Sequence, residues 1–286
     1  MKNEVFSWNR FWNYFKFDFS RMWRTHTKAA IFIGFSGVIF YLIYGLISMV
    51  AVFSWSSPHI AIRMMVMMMA FLALVFYQTR TYGYLTEKKA GTAWLMIPAS
   101  ITEKFVSMMI MSLIVIPAAF FAVFLASDAL LTLIDPTMTD SIFGGTGALL
   151  SEAGSEIGLE NGKVVLAEDG MEFTFSLAPL IYGTVMQYIN NILLFVLCGI
   201  CFKKFKVAGG IGIIFALSII STIAAALFIP SFESWAMEVD ALSSTEQIGK
   251  VTDFVNGAFT WCNIASTLVA AGLGAGIWYR LRTISH

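Results

Sequence analysis

Six apolar runs, each long enough to cross a hydrocarbon core that takes about 20 residues of helix, dominate this sequence. They cover approximately 29–54, 60–79, 105–134, 174–202, 207–230 and 255–279. Of 286 residues, 58% are hydrophobic and 13% charged, where an ordinary soluble domain carries about 25% charged residues. No single globular core can absorb that much apolar surface. The expected fold is an all-α integral membrane protein with six transmembrane helices, organised as one transmembrane domain over residues 1–286.

The charges between the runs set an orientation. Segments 1–28, 80–104, 203–206 and 280–286 hold 15 Lys or Arg, with only Glu4, Asp18, Glu87 and Glu103 as acids. The complementary segments hold Arg63, Lys163 and Lys250 against 14 acids. Positively charged flanks stay cytoplasmic, so both termini are expected inside. The first apolar run starts after residue 28 and is too long for the apolar core of a signal peptide. A net charge of zero argues against a nucleic-acid partner. The three cysteines, Cys198, Cys201 and Cys262, lie in or beside apolar runs and form no disulfide framework.

In residues 5–27, Trp8, Phe11, Trp12, Phe15, Phe19 and Trp23 recur at spacings of three and four, while Arg10, Asn13, Arg21 and Arg24 fall largely elsewhere. This predicts an amphipathic helix lying in the cytoplasmic headgroup layer; a plain juxtamembrane aromatic anchor has the same pattern. Gly34-Phe35-Ser36-Gly37 matches the G-x-S-G of intramembrane serine proteases, but His26, His59 and His286 lie outside or at the ends of spans. A serine nucleophile needs its base adjacent, so small-residue helix packing is the expectation. Arg63 and Asp128 fall near corresponding ends of their runs, where they can pair. Pro117 predicts a kink in the third span.

Segment 135–173 has turn signals at Asn161-Gly162 and Asp169-Gly170, flanked by apolar-rich stretches, which predict a small extracytoplasmic β-hairpin between the third and fourth helices. Thr184, Gln187, Asn190 and Asn191 are spaced along one face of the fourth run. They either line a substrate path or hydrogen-bond between helices. Segment 231–254 is a second extracytoplasmic connection, and the small-residue run Ala270–Gly276 permits close helix contact.

Several chemistries are missing from the sequence. It contains no G-x-x-x-x-G-K-[ST] phosphate loop, no H-E-x-x-H, and no charge in the central part of any apolar run. No enzymatic activity, cofactor or metal is expected. The densest constellation is residues 80–104, between the second and third runs. After Tyr84, Thr86, Glu87, Lys88 and Lys89 offer a mixed-charge exposed face, and Trp94, Leu95 and Met96 an apolar one. A short helix with both suits docking of a soluble partner, although Lys88 and Lys89 also serve as topology determinants. Pro98 with the Ser100/Glu103 capping box is a helix-start signal for the third span.

Six spans, internal termini, a leading amphipathic helix and this loop resemble ABC-2-type permeases, the membrane subunits of one class of ABC exporters. Leu95-Met96-Ile97-Pro98-Ala99-Ser100 with Glu103-Lys104-Phe105 is similar to the L-P-A-S-x-x-E-K-F pattern of Bacteroidetes permease-like proteins, with Ile97 in place of leucine. The resemblance implies a non-catalytic subunit in a bacterial inner membrane, paired as a homo- or heterodimer. It also implies a separately encoded ATP-binding subunit that docks on the 80–104 loop and drives export. A membrane scaffold or regulatory protein with the same fold and no transport activity is the alternative.

Overall fold

The computed structural model of the chain describes residues 6–52, 55, 57–138, 141–142, 144, 159–160, 163–168, 171–240 and 244–284. Helices α1 (Trp8–Gly34), α2 (Ser36–Val52) and α3 (Ile60–Thr81) come first. A 3₁₀ turn (Gly83–Thr86) and the short α4 (Lys88–Leu95) follow. Next are α5 (Ile101–Ile110), a π-helical turn (Met111–Val115) and α6 (Ile116–Ile134). Strands β1 (Leu159–Glu160), β2 (Lys163–Glu168) and β3 (Met171–Ser176) precede α7 (Leu177–Cys201), α8 (Lys206–Asp240) and α9 (Ser244–Thr283).

Among the described residues, five helices are long and apolar enough to cross a membrane: Ile60–Thr86, Ile101–Ile134, Ala178–Cys201, Lys206–Ile223 and Glu246–Thr283. By their length and apolarity these helices are consistent with a multi-pass α-helical membrane protein. The first apolar run is divided. Helix α1 carries both the amphipathic segment and the start of that run, breaks at Phe35, and gives way to the 17-residue α2. The break falls at a close approach to α6. A Cβ on Gly34 would come within 2.8 Å of Val123, and one on Gly37 within 3.0 Å of Phe124. These are the glycines of the G-x-S-G sequence, and packing accounts for both.

The chain falls into two compact units. One comprises Met1–Leu149, Phe195–Lys206 and Ala275–His286; the other comprises Leu150–Leu194 and Val207–Gly274. In the first, α1 packs against α5, α6 and α3, and α2 against α3 and α6. Its core cluster is Ala70, Leu74, Phe120, Phe124 and Ile142. The end of α7 joins α3: Phe195 meets Phe76 edge-on at 5.1 Å, and a Cβ on Gly199 would lie 2.5 Å from the Thr79 carbonyl oxygen. Where a kink is expected at Pro117, the helix runs through the π turn Met111–Val115 just ahead of the proline. Proline has no N–H to give to the helix ladder and crowds the preceding turn, so the hydrogen-bond register shifts there.

In the second unit the strands form an antiparallel sheet in the order β1-β2-β3, with Val165 opposite Thr174 and Leu166 opposite Phe173. The turns at 161–162 and 169–170, like all of 145–158, lie outside the described residues. Helices α7 and α9 are joined by polar pairs, and Trp235 meets Phe254 at 4.6 Å. Segment 231–254 is mainly helical, with α8 reaching Asp240 and α9 starting at Ser244. Along Ala270–Gly276, whose small residues permit close contact, a Cβ added at Gly272 or Gly274 would meet nothing within 4 Å among the described residues. A Cβ at Gly199 would meet the Thr79 backbone, so a tight approach among the described residues lies there.

Candidate functional site

Helix α1 has two apolar stripes. Phe11, Tyr14, Asp18 and Met22 are buried at spacings of three, four and four. Trp8, Trp12, Phe19 and Trp23 face outward. The aromatic stripe most conspicuous in the sequence is therefore not the one that packs on protein. An outward row of Trp and Phe suits the interfacial layer, where amphipathic rings are favoured.

The inward stripe meets the 80–104 loop in a continuous polar network. Ser100 caps α5: its Oγ accepts from the Glu103 N–H at 3.2 Å, while Glu103 Oε2 accepts from the Ser100 N–H at 2.8 Å. The capping box is thus present on both sides. The same carboxylate also reaches α1. It accepts from the Ser7 N–H at 2.9 Å, from Arg10 Nε at 2.7 Å and from Arg10 Nη2 at 2.7 Å. One fully buried glutamate therefore terminates two helices at once. Next to it, Lys104 Nζ donates to the Trp94 carbonyl at 2.9 Å and lies 4.4 Å from the Trp94 ring centroid. Trp94 Nε1 donates to Tyr14 Oη at 3.0 Å.

Further along, Asp18 Oδ2 accepts from Tyr82 Oη at 2.8 Å and from Ser107 Oγ at 2.9 Å. Burial raises the Asp18 pKa above the ordinary carboxylate value, opposed by those two donors and by Arg21. Arg21 stacks over the Tyr84 ring at 3.5 Å. From the other side, Lys206 Nζ donates to the Gly83 carbonyl at 2.6 Å. Gly83 has no Cβ to obstruct this lysine, which would otherwise lie 2.8 Å from it.

The residues singled out in the sequence separate into distinct roles. Ser100, Glu103 and Trp94 come together in the network, with Tyr84 half-buried beneath Arg21. Trp94, expected on an exposed apolar face, is only 2% exposed and belongs to the fold. Leu95 and Met96 do project outward, Met96 at 78%. Glu87 is the exposed N-cap of α4, Thr86 Oγ1 donates back to the Gly83 carbonyl at 2.8 Å, and Pro98 is exposed. Lys88 and Lys89 open α4, and their side chains lie outside the described residues. Arg10, Tyr14, Asp18 and Tyr82 were missed. The 3-4-4 spacing of the inward stripe was the available signal, masked by the outward tryptophans.

The polar row on α7 does not act as one group. Thr184 Oγ1 donates to Leu180 O of its own helix at 2.9 Å, and Gln187 is exposed. Asn190 Nδ2 crosses to α9, donating to Ser266 Oγ at 2.8 Å and Ser266 O at 3.1 Å. Asn191 is half-buried. Asn263 Nδ2 to Pro179 O at 2.9 Å and a Tyr182–Thr267 hydroxyl pair at 2.7 Å extend this helix–helix seam.

At the ends of α3 and α6 remote from the loop, Arg63 Nη1 pairs with Asp128 Oδ1 at 2.8 Å, with both side chains buried. Asp128 Oδ2 also accepts from the Ile142 N–H at 2.6 Å. Just beyond α6, Asp135 is held to a pKa of about 2, first by Thr137 Oγ1 at 2.6 Å and then by Tyr41 Oη at 2.6 Å. Among the described residues, no three His, Cys, Asp or Glu converge as a metal site.

The site is therefore a mechanical junction in which a surface helix, a loop helix and the start of a long apolar helix share buried polar bonds. Comparison of the chain with protein-family models, with curated proteins and with solved structures finds no match to any of them.

Proposed function

We propose that this chain is the non-catalytic permease subunit of an ATP-driven ABC-2-type exporter. In this reading it spans a bacterial inner membrane six times with both termini cytoplasmic, works as a dimer, and receives a separate ATP-binding subunit on the 80–104 loop. The small sheet then lies on the extracytoplasmic side. The observation that carries the reading is the contrast at the end of α4: Met96, its C-cap, is 78% exposed, while Trp94 is 2% exposed and bonded to Tyr14. A partner pressing on Leu95 and Met96 would move Trp94, and Trp94 is tied to α1 through Tyr14 and to α5 through Lys104. Buried hydrogen-bonded networks transmit displacement because they have few alternative arrangements.

The test is co-purification of the affinity-tagged full chain from its native membrane. A nucleotide-binding subunit is expected with the wild type. It should be lost with Leu95→Asp/Met96→Asp and with Lys88→Glu/Lys89→Glu, while the variants keep the wild-type unfolding temperature. Wild-type protein that brings down no ATP-binding subunit, or variants that retain it fully, would overturn the proposal in favour of a scaffold.

A further inference from the structure

On α1, Phe17, Ser20, Arg21, Arg24 and Thr25 line a hollow of about 410 Å³. Their spacings of three, one, three and one place them on adjacent turns of one side of the helix. That side is neither the inward stripe of Phe11, Tyr14, Asp18 and Met22 nor the outward row of Trp8, Trp12, Phe19 and Trp23. The hollow is far roomier than the roughly 30 Å³ share of one water. Two guanidinium groups and two hydroxyls edge it.

The two arginines are held differently. Arg21 is half-buried, with its guanidinium carbon 3.5 Å from the centroid of the Tyr84 ring. A guanidinium stacked on a ring keeps a planar fork of N–H donors pointing sideways, so Tyr84 fixes the group in place and leaves donors of the fork for an anion. Arg24 is exposed. Among the described residues, no carboxylate forms an ion pair with either arginine. The acid nearest in sequence, Asp18, is buried, and its Oδ2 is taken by Tyr82 and Ser107.

Two positive charges with hydroxyls beside them suit a ligand with two negative charges and several acceptor oxygens. A phosphate monoester carries close to two charges at neutral pH, whereas a phosphodiester carries one. The aromatic row on the adjoining side of α1 suits the interfacial layer of a bilayer. Phe17, 49% exposed, gives the hollow an apolar edge. We propose that this hollow binds the phosphomonoester headgroup of a lipid such as phosphatidic acid. The proposal does not depend on the ATP-binding partner.

The test uses the full-length chain in uncharged detergent. Native mass spectrometry measures binding of short-chain phosphatidic acid, phosphatidylglycerol and phosphatidylcholine, and of glycerol 3-phosphate as the headgroup alone. Wild type is expected to bind phosphatidic acid most tightly of the four. Arg24→Gln should weaken that binding by about fivefold, the worth of one cation, and Arg21→Gln/Arg24→Gln by about 25-fold. Because Arg24 is exposed, its replacement leaves the packing on Tyr84 intact. Lys203→Gln/Lys204→Gln removes the same charge from the exposed bend after α7 and should leave binding unchanged. Equal binding of phosphatidic acid and either other lipid, or equal losses in the arginine and lysine double variants, overturns the proposal. Glycerol 3-phosphate binding as tightly as phosphatidic acid also overturns it, in favour of a soluble phosphate ester.

Discussion

Arg10 and Glu103, 93 residues apart, form an ion pair with Nη2 2.7 Å from Oε1, and the carboxylate has no solvent exposure. Glu103 also caps α5 through Ser100. The residue that starts a long apolar helix is therefore the residue that anchors the surface helix to it.

Removing the two functions separately should have unequal effects. Ser100→Ala deletes only the cap and is expected to cost about 1 kcal/mol. Glu103→Ala removes the acceptor of the Ser7 and Ser100 N–H groups and the ion pair with Arg10, so its cost should be clearly larger, because buried groups left unsatisfied carry their full desolvation penalty. Thermal unfolding of both variants in detergent checks the order, and equal costs would show that the Arg10 bond contributes nothing.

Asp18 makes stability depend on pH in an unusual direction. Its pKa is raised by burial, so the folded chain holds a proton that the unfolded chain releases near pH ~3.9. The stability from this group is fully present below that value and is lost as pH rises through the raised one. Asp18→Asn stays neutral and should flatten the decline, leaving the variant at least as stable as wild type at about pH 7. Parallel unfolding-temperature profiles for the two proteins would contradict this.

Breaking the Arg63–Asp128 pair from one side should be costly. Both side chains are under a tenth exposed, and an uncompensated buried charge typically costs about 3–5 kcal/mol. Arg63→Leu or Asp128→Leu alone is expected in that range. The double Arg63→Leu/Asp128→Leu variant should recover most of the loss. It will not recover all of it, because the bond from the Ile142 N–H to Asp128 Oδ2 is lost in the double variant. A double variant as unstable as the singles would count against the pairing.

Two glycines in small-residue settings should respond differently to alanine. At Gly199 the new methyl would meet the Thr79 carbonyl oxygen at 2.5 Å, and backbone has little room to yield. At Gly276 it would meet only Leu197 Cδ2, at 3.6 Å, an ordinary contact. Gly199→Ala is expected to cost about 1–3 kcal/mol as overpacking, and Gly276→Ala to be neutral or slightly stabilising because helical alanine is favoured over glycine. Unfolding temperatures of the two variants, measured side by side, decide this.

The helical, membrane-spanning character of the chain was legible without coordinates, since hydrocarbon thickness requires long apolar runs and six such runs stand out. The Ser100/Glu103 box was legible for a similar reason, because a capping motif closes within four residues. The pairing of Arg63 with Asp128 was readable as two charges with one plausible depth. Trp94 was placed on the wrong side because an exposed tryptophan and a buried one look identical in a helix of only eight residues. The division of the first run at Phe35 was hidden too, because its cause is Val123 and Phe124, nearly ninety residues away, pressing against Gly34 and Gly37.

The sequence by itself determined where the long apolar runs lie and the capping device at Ser100 and Glu103, because these depend on residues within a few turns of each other. Only the tertiary structure decided which face of α1 turns inward, that Glu103 serves two helices, that Asp18 lies under Tyr82, and that His26 meets Tyr77. Those features arise from side chains brought together across about fifty to a hundred residues, and no periodicity along the chain encodes which of two plausible apolar stripes will find a partner.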